Sequence, residues 1–97
     1  MTDEIKKLDD VGNEVKDLLQ KKDFGASFRP AREKLGLSQV EVAEHLLISI
    51  DVIKALENSQ ADALPALTFT QGYIRSYARM LNVPADEIIN DYVQMAP

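Results

Sequence analysis

Leu37-Ser38-Gln39-Val40-Glu41 constrains this chain more than any other stretch of it. A serine oxygen accepts from the third backbone N–H of a following helix, and a glutamate at that third position returns to the serine's own N–H. The pair satisfies two of the four donors that every helix start leaves open. Leu37, just ahead of the cap, is placed to staple the entry. Ser49, with Asp51 near the positive end of the next helix, offers another start. Only Leu47-Ile48 separates it from the preceding run. Two helix starts this close require two short helices joined by a tight turn, and short helices persist only when packed on one another.

The flanking residues extend the pattern. Ser27 is placed to cap a first helix reaching about Leu35, with Gly36 as its stop and Pro30 at its third position, where the missing N–H has no partner to lose. The second helix runs to about Leu46, with Val42 and Leu46 on one face and Val40 and Ala43 beside them. In the third, Val52, Ile53 and Leu56 face inward; Ile50, Asp51, Lys54, Ala55 and Glu57 face outward, and Asn58-Ser59 closes the helix. After the linker Gln60–Pro65, Thr68 and Gln71 form a further capping box for a long fourth helix ending near Asn82. Ile74, Ala78 and Leu81 are its core stripe, Phe69 is a core residue, and close backbone approach accounts for Gly72. Pro84 starts a fifth helix with Asp86 and Glu87 in its first turn and Ile88, Ile89, Tyr92 and Val93 as its apolar content. Strand signals are lacking. The expected fold is all-α, a five-helix helix-turn-helix bundle.

Two regions are expected: an amphipathic leader helix over residues 1–24 and the helix-turn-helix domain over 25–97. In the leader, Ile5, Leu8, Val11, Val15, Leu18 and Leu19 fall within an arc of about 140° at 100° per residue. A helix packed on its own domain, or one only marginally formed, is the first expectation, with partner binding or self-association as the other. A heptad seam would serve self-association, although Gly12 occupies one seam position.

Side-chain chemistry excludes several classes of function. With no Cys and one His, neither a thiolate metal site nor a nucleophile–base pair can be assembled, so the chain is not expected to be an enzyme. His45 reads as a surface imidazole. Gly12, Gly25, Gly36 and Gly72 are scattered rather than gathered into a phosphate-binding loop, and no carboxylates fall in a calcium-loop pattern. No cofactor and no metal are expected. No apolar run approaches the ~20 residues of a bilayer span, and the N-terminus lacks a secretion signal.

A helix-turn-helix normally suggests DNA, yet the reading surface is poor for it. Phosphate neutralisation supplies much of the affinity of DNA binders, but the net charge here is −5. From Ser27 to Asn58, four basic residues (Arg29, Arg32, Lys34, Lys54) face five acidic ones (Glu33, Glu41, Glu44, Asp51, Glu57). Base edges call for Arg, Asn or Gln, and the third helix has none. If duplex DNA is bound, the candidates are Gln39, for a phosphate, with Ile50, Asp51 and Lys54; the expectation is weak binding or none.

From Gly25 onward the chain resembles the cytoplasmic helix-turn-helix domain of the RodZ family of bacterial cell-shape proteins. The matching residues are Ala31-Arg32-Glu33-Lys34-Leu35-Gly36-Leu37-Ser38-Gln39, then Val42-Ala43-Glu44, and above all Phe69-Thr70-Gln71-Gly72-Tyr73-Ile74-Arg75-Ser76-Tyr77-Ala78-Arg79. The first block is shared with the wider Cro and phage-repressor superfamily; the last is more diagnostic. The match covers about residues 25–93, and Pro30 lies outside the family pattern. The resemblance implies a cell-shape adaptor that binds the actin-like MreB filament through aromatic residues of the fourth helix, corresponding to Tyr73 and Tyr77, and links it to the cell-wall elongation machinery. Arg75 and Arg79 would flank that patch and meet an acidic partner. The resemblance also implies a cytoplasmic location at the inner face of the bacterial membrane, through a span beyond this chain. A transcription regulator of the Cro and phage-repressor type is the alternative. The oligomeric state stays open.

Overall fold

The computed structural model describes residues 23–96; the leader expected over residues 1–24 lies almost wholly outside them. Five α-helices follow in order: α1 (Phe28–Lys34), α2 (Gln39–Leu46), α3 (Ile50–Glu57), α4 (Leu67–Leu81) and α5 (Ala85–Met95), with a 3-10 turn at Ala61–Ala63 between α3 and α4. The described residues contain no strand, and none of their helices is long and apolar enough to cross a membrane.

The helix boundaries trace to local chemistry. At α2 the expected capping box is complete: Glu41 N–H donates to Ser38 Oγ, and Ser38 N–H donates to Glu41 Oε1, each at 3.0 Å. Ser49 caps α3 by accepting from Asp51 N–H at 3.2 Å. Two other expected caps are corrected. Ser27 has helical backbone angles and makes no side-chain cap, because α1 grows directly out of a turn over Phe24–Ser27, in which Phe28 N–H donates to Gly25 O at 3.1 Å. Thr68 lies inside α4, which begins one residue earlier behind Ala66. The buried Thr70 instead ties the helix to the linker, its hydroxyl donating to Pro65 O at 3.0 Å.

Helices α1, α2 and α4 end in the same way. The residue after each helical run, or one beyond it, turns left-handed, and the next N–H reaches back to a carbonyl of the last turn: Leu37 to Arg32 O, Ile48 to Ala43 O and Val83 to Ala78 O. The left-handed residues are Gly36 (φ 71°), Leu47 (φ 57°) and Asn82 (φ 57°). Glycine and asparagine tolerate that region, whereas leucine brings its Cβ against the backbone. Leu47 is 91% exposed, so no burial offsets the cost. Leu47→Gly is therefore expected to raise stability by about 1 kcal/mol, seen as a higher chemical-denaturation midpoint; an unchanged or lower midpoint would refute the strain.

The core is aliphatic with four enclosed aromatic rings. Val42, Ile53, Leu56 and Ile74 are fully buried, as are Phe28 and Tyr77, whose rings stack 4.5 Å apart at 6°. Phe24 packs edge-on against Tyr92 of α5 at 5.0 Å. α4 packs against α1, α2 and α5. Ile74, Ala78 and Leu81 form its buried stripe as expected. Phe69 does not join them: it is 64% exposed. Val40, expected beside the inner face of α2, is also exposed.

Candidate functional site

The third helix carries the first surprise. Ala55 and Glu57, both expected to face outward, are buried. Glu57 lies one turn beyond the fully buried Ile53, on the inner side of α3. Its carboxylate is enclosed and receives donors from three other helices. Arg32 of α1 donates from Nε to Oε2 at 2.7 Å and from Nη2 to Oε1 at 3.0 Å. The Tyr77 hydroxyl of α4 donates to Oε2 at 2.6 Å, and Gln39 Nε2 of α2 donates to Oε1 at 3.1 Å. Arg29 reaches Oε1 from the rim at 3.4 Å and also donates to Asn58 Oδ1 at 2.9 Å. Arg32 Nη1 closes the group by donating to Leu37 O at 2.8 Å. No buried side-chain nitrogen or oxygen among the described residues lacks a partner.

The electrostatics follow from this geometry. Burial by itself would raise the Glu57 pKa; the hydrogen bonds from Arg32, Tyr77 and Gln39, with the Arg32 charge, outweigh it and hold the carboxyl at about 2. Arg32 is raised, first by its hydrogen bond to Glu57. Tyr77 is raised by burial and then by donating to a carboxylate. Near neutral pH the site is an ionised pair with a neutral phenol.

These facts rewrite the charge of the reading surface. Glu57 is neutralised inside the fold and repels nothing outside. Gln39, offered for phosphate binding, has its amide nitrogen turned to Glu57. Of the other DNA candidates, Asp51 and Lys54 are exposed with opposite charges, and Ile50 is half-buried. Glu41 and Glu44 are exposed on the neighbouring α2. Among the described residues no band of positive charge gathers around α3.

The second candidate surface is on α4, and it too is rearranged. Tyr77, expected as a partner-binding residue, has no exposed surface. Its ring stacks on Phe28 and its hydroxyl serves Glu57, so it belongs to the core. Tyr73 is half-buried, while Arg75 and Arg79 are exposed and neither forms an ion pair among the described residues. Phe69 is brought out beside Tyr73, one turn away on the same face, with Ser76 and Met80 continuing the line. The sequence held the signal for this exchange. At 100° per residue, Tyr77 falls about 70° from the centre of the Ile74–Ala78–Leu81 stripe and Phe69 about 150° from it.

Five helices, the second and third short and joined by a tight turn, form the DNA-binding-like fold of helix-turn-helix proteins. The family model described as a helix-turn-helix domain matches residues 27–88, and the chain belongs to that family. No solved structure matches the chain.

Proposed function

We propose that this domain is a protein-interaction adaptor of the bacterial cell-shape type, binding the actin-like MreB filament at the inner face of the membrane and linking it to the cell-wall elongation machinery. Its contact face is the Phe69–Tyr73 side of α4. The observation that carries this reading is the exposure of Phe69, at 64%, directly beside a half-buried Tyr73. Two rings on one helix face supply apolar area with little conformational freedom to lose, as interface anchors do. The resemblance of Phe69–Arg79 to the cell-shape family, and a reading helix whose exposed charges cancel, support it further.

Phe69→Ala and Tyr73→Ala are each expected to weaken binding to polymerised MreB by about 1–2 kcal/mol while helical content is retained. Native affinity in both variants would remove the site. The rival reading, a regulator bound to duplex DNA, draws on the family's fold and on the exposed Lys54. It requires tight binding that falls steeply with salt and weakens in Lys54→Ala.

A further inference from the structure

Asp23, where the described chain begins, stands in the wall of a cleft of about 470 Å³ between the turn before α1 and the first half of α5. The floor of the cleft is apolar: Phe24 and Ile88, both nearly enclosed, with the exposed Ala26 and Pro84 beside them. Its rim is acidic. Asp23, Glu87 and Asp91 line it, no Lys or Arg does, and none of the three carboxylates forms an ion pair among the described residues. Arg75 and Arg79 line an adjoining cleft together with Asp86; it shares Pro84 and Glu87 with this one, but neither Asp23 nor Asp91.

The stretch of chain that leads into this cleft is complementary to it. Residues 15–22 carry Lys16, Lys21 and Lys22 against the single Asp17, with Val15, Leu18 and Leu19 as their apolar content. The preceding residues have the opposite balance, with Asp3, Glu4, Asp9, Asp10 and Glu14 against Lys6 and Lys7. The point of departure is fixed: Asp23 accepts from the Ser59 hydroxyl at 2.7 Å, and the neighbouring Phe24 is held against Tyr92. Leu18 and Leu19 lie four and five residues before Asp23, a span of at most about 18 Å for an extended chain and about 7 Å for a helix. A segment tethered so closely meets the cleft at an effective concentration in the millimolar range, so a modest contact is enough to seat it. A second apolar groove, along Ala61–Leu67 beside Tyr92, has Asp62 as its one charged side chain and contains no residue next to the leader.

We propose that residues 15–22 fold back over the Phe24–Ile88 cleft, with Leu18 and Leu19 on its floor and the lysines at its acidic rim. The leader is then a cover for the α5 side of its own domain. This goes beyond the adaptor reading and does not depend on it, since no residue of the Phe69–Tyr73 face lines the cleft.

The test is zero-length carbodiimide cross-linking of the full chain, with the joined peptides read by mass spectrometry. Lys16 is the reporter, because Lys21 and Lys22 reach the rim whichever way the leader runs. The expected product joins Lys16 to Glu87 or Asp91 within one chain, at a yield that dilution leaves unchanged and salt lowers. Leu18→Asp with Leu19→Asp is expected to abolish that product and to speed hydrogen exchange over residues 15–22 roughly tenfold. Glu87→Gln with Asp91→Asn is expected to speed the same exchange while the domain keeps its helical content. Absence of the Lys16 product in the folded native chain overturns the proposal. A product found only between chains, and lost on dilution, assigns the cleft to the leader of a second copy and also overturns it. So does unchanged exchange over residues 15–22 in both variants, or faster exchange at Ala61–Leu67 rather than around Ala26 and Ile88 in Leu18→Asp with Leu19→Asp.

Discussion

Glu57→Ala is expected to destabilise the domain by about 3–5 kcal/mol, the range for removing one member of a buried ion pair. The cost comes from what is left behind rather than from the contact itself. Arg32, only 9% exposed, would keep its charge with no carboxylate beside it, and both the Tyr77 hydroxyl and the Gln39 amide would lose their acceptor. Urea titration followed by circular dichroism measures it. A loss below about 1 kcal/mol, the level of an exposed pair, would mean that the carboxylate is not buried as described.

The same residue sets an acid limit. Glu57 titrates at about 2 in the folded domain against an ordinary value of 4.5. A depressed folded pKa contributes stability that is complete above the unfolded value and disappears as pH falls toward the folded one. The domain should therefore lose on the order of 3 kcal/mol between pH 5 and pH 2 through this group. In Glu57→Gln, which does not titrate, that part of the slope should vanish. Tyr77 acts at the other end: its raised pKa removes stability only as pH climbs above the ordinary phenol value of 10.0.

Gly25→Ala is the second large effect, expected at about 3 kcal/mol or more. A Cβ at this position would fall 1.7 Å from Leu56 O and 2.8 Å from Leu56 C, both backbone atoms at the buried end of α3. Neither side has room to yield. Gly25 N–H donates to Ser59 Oγ at 3.0 Å, and that hydroxyl donates to Asp23 Oδ1 at 2.7 Å. Phe24 next door is 3% exposed and held against Tyr92. The melting temperature of the variant checks this, with Gly72→Ala as the contrasting case. The close backbone approach expected at Gly72 is absent among the described residues, and a Cβ there meets nothing within 4 Å, so the same substitution should stabilise at one glycine and damage the fold at the other.

Much of the fold was legible in the sequence because helix ends are written locally. Ser38 with Glu41, Ser49, Gly36 and Pro84 each act within a few residues of themselves, and four of the five helices begin or end where these residues place them. The errors have a different origin. Glu57 reads as a surface charge until Arg32, 25 residues earlier, is brought against it. Its position one turn after Ile53 was the available sign that it faces inward. Thr68 and Gln71 have the spacing of a capping box, but α4 starts at Leu67, and the buried Thr70 makes the bond to the linker instead. Phe69 and Tyr77 exchange roles because the expectation for Tyr77 follows the family resemblance, whereas angular position places Tyr77 nearer the buried stripe than Phe69. Partner identity is written nowhere in this local grammar, since it depends on a surface belonging to another molecule.

The shared acceptor at Glu57 has one more consequence. Because α1, α2 and α4 all donate to a single group on α3, lifting α1 or α4 takes Arg32 or Tyr77 from the buried carboxylate, and lifting α2 takes a further donor from it. The shared acceptor therefore couples the opening of these helices to one another. A molecule landing on the outer side of α4 thus meets a platform already fixed in position, and association there forfeits little backbone entropy.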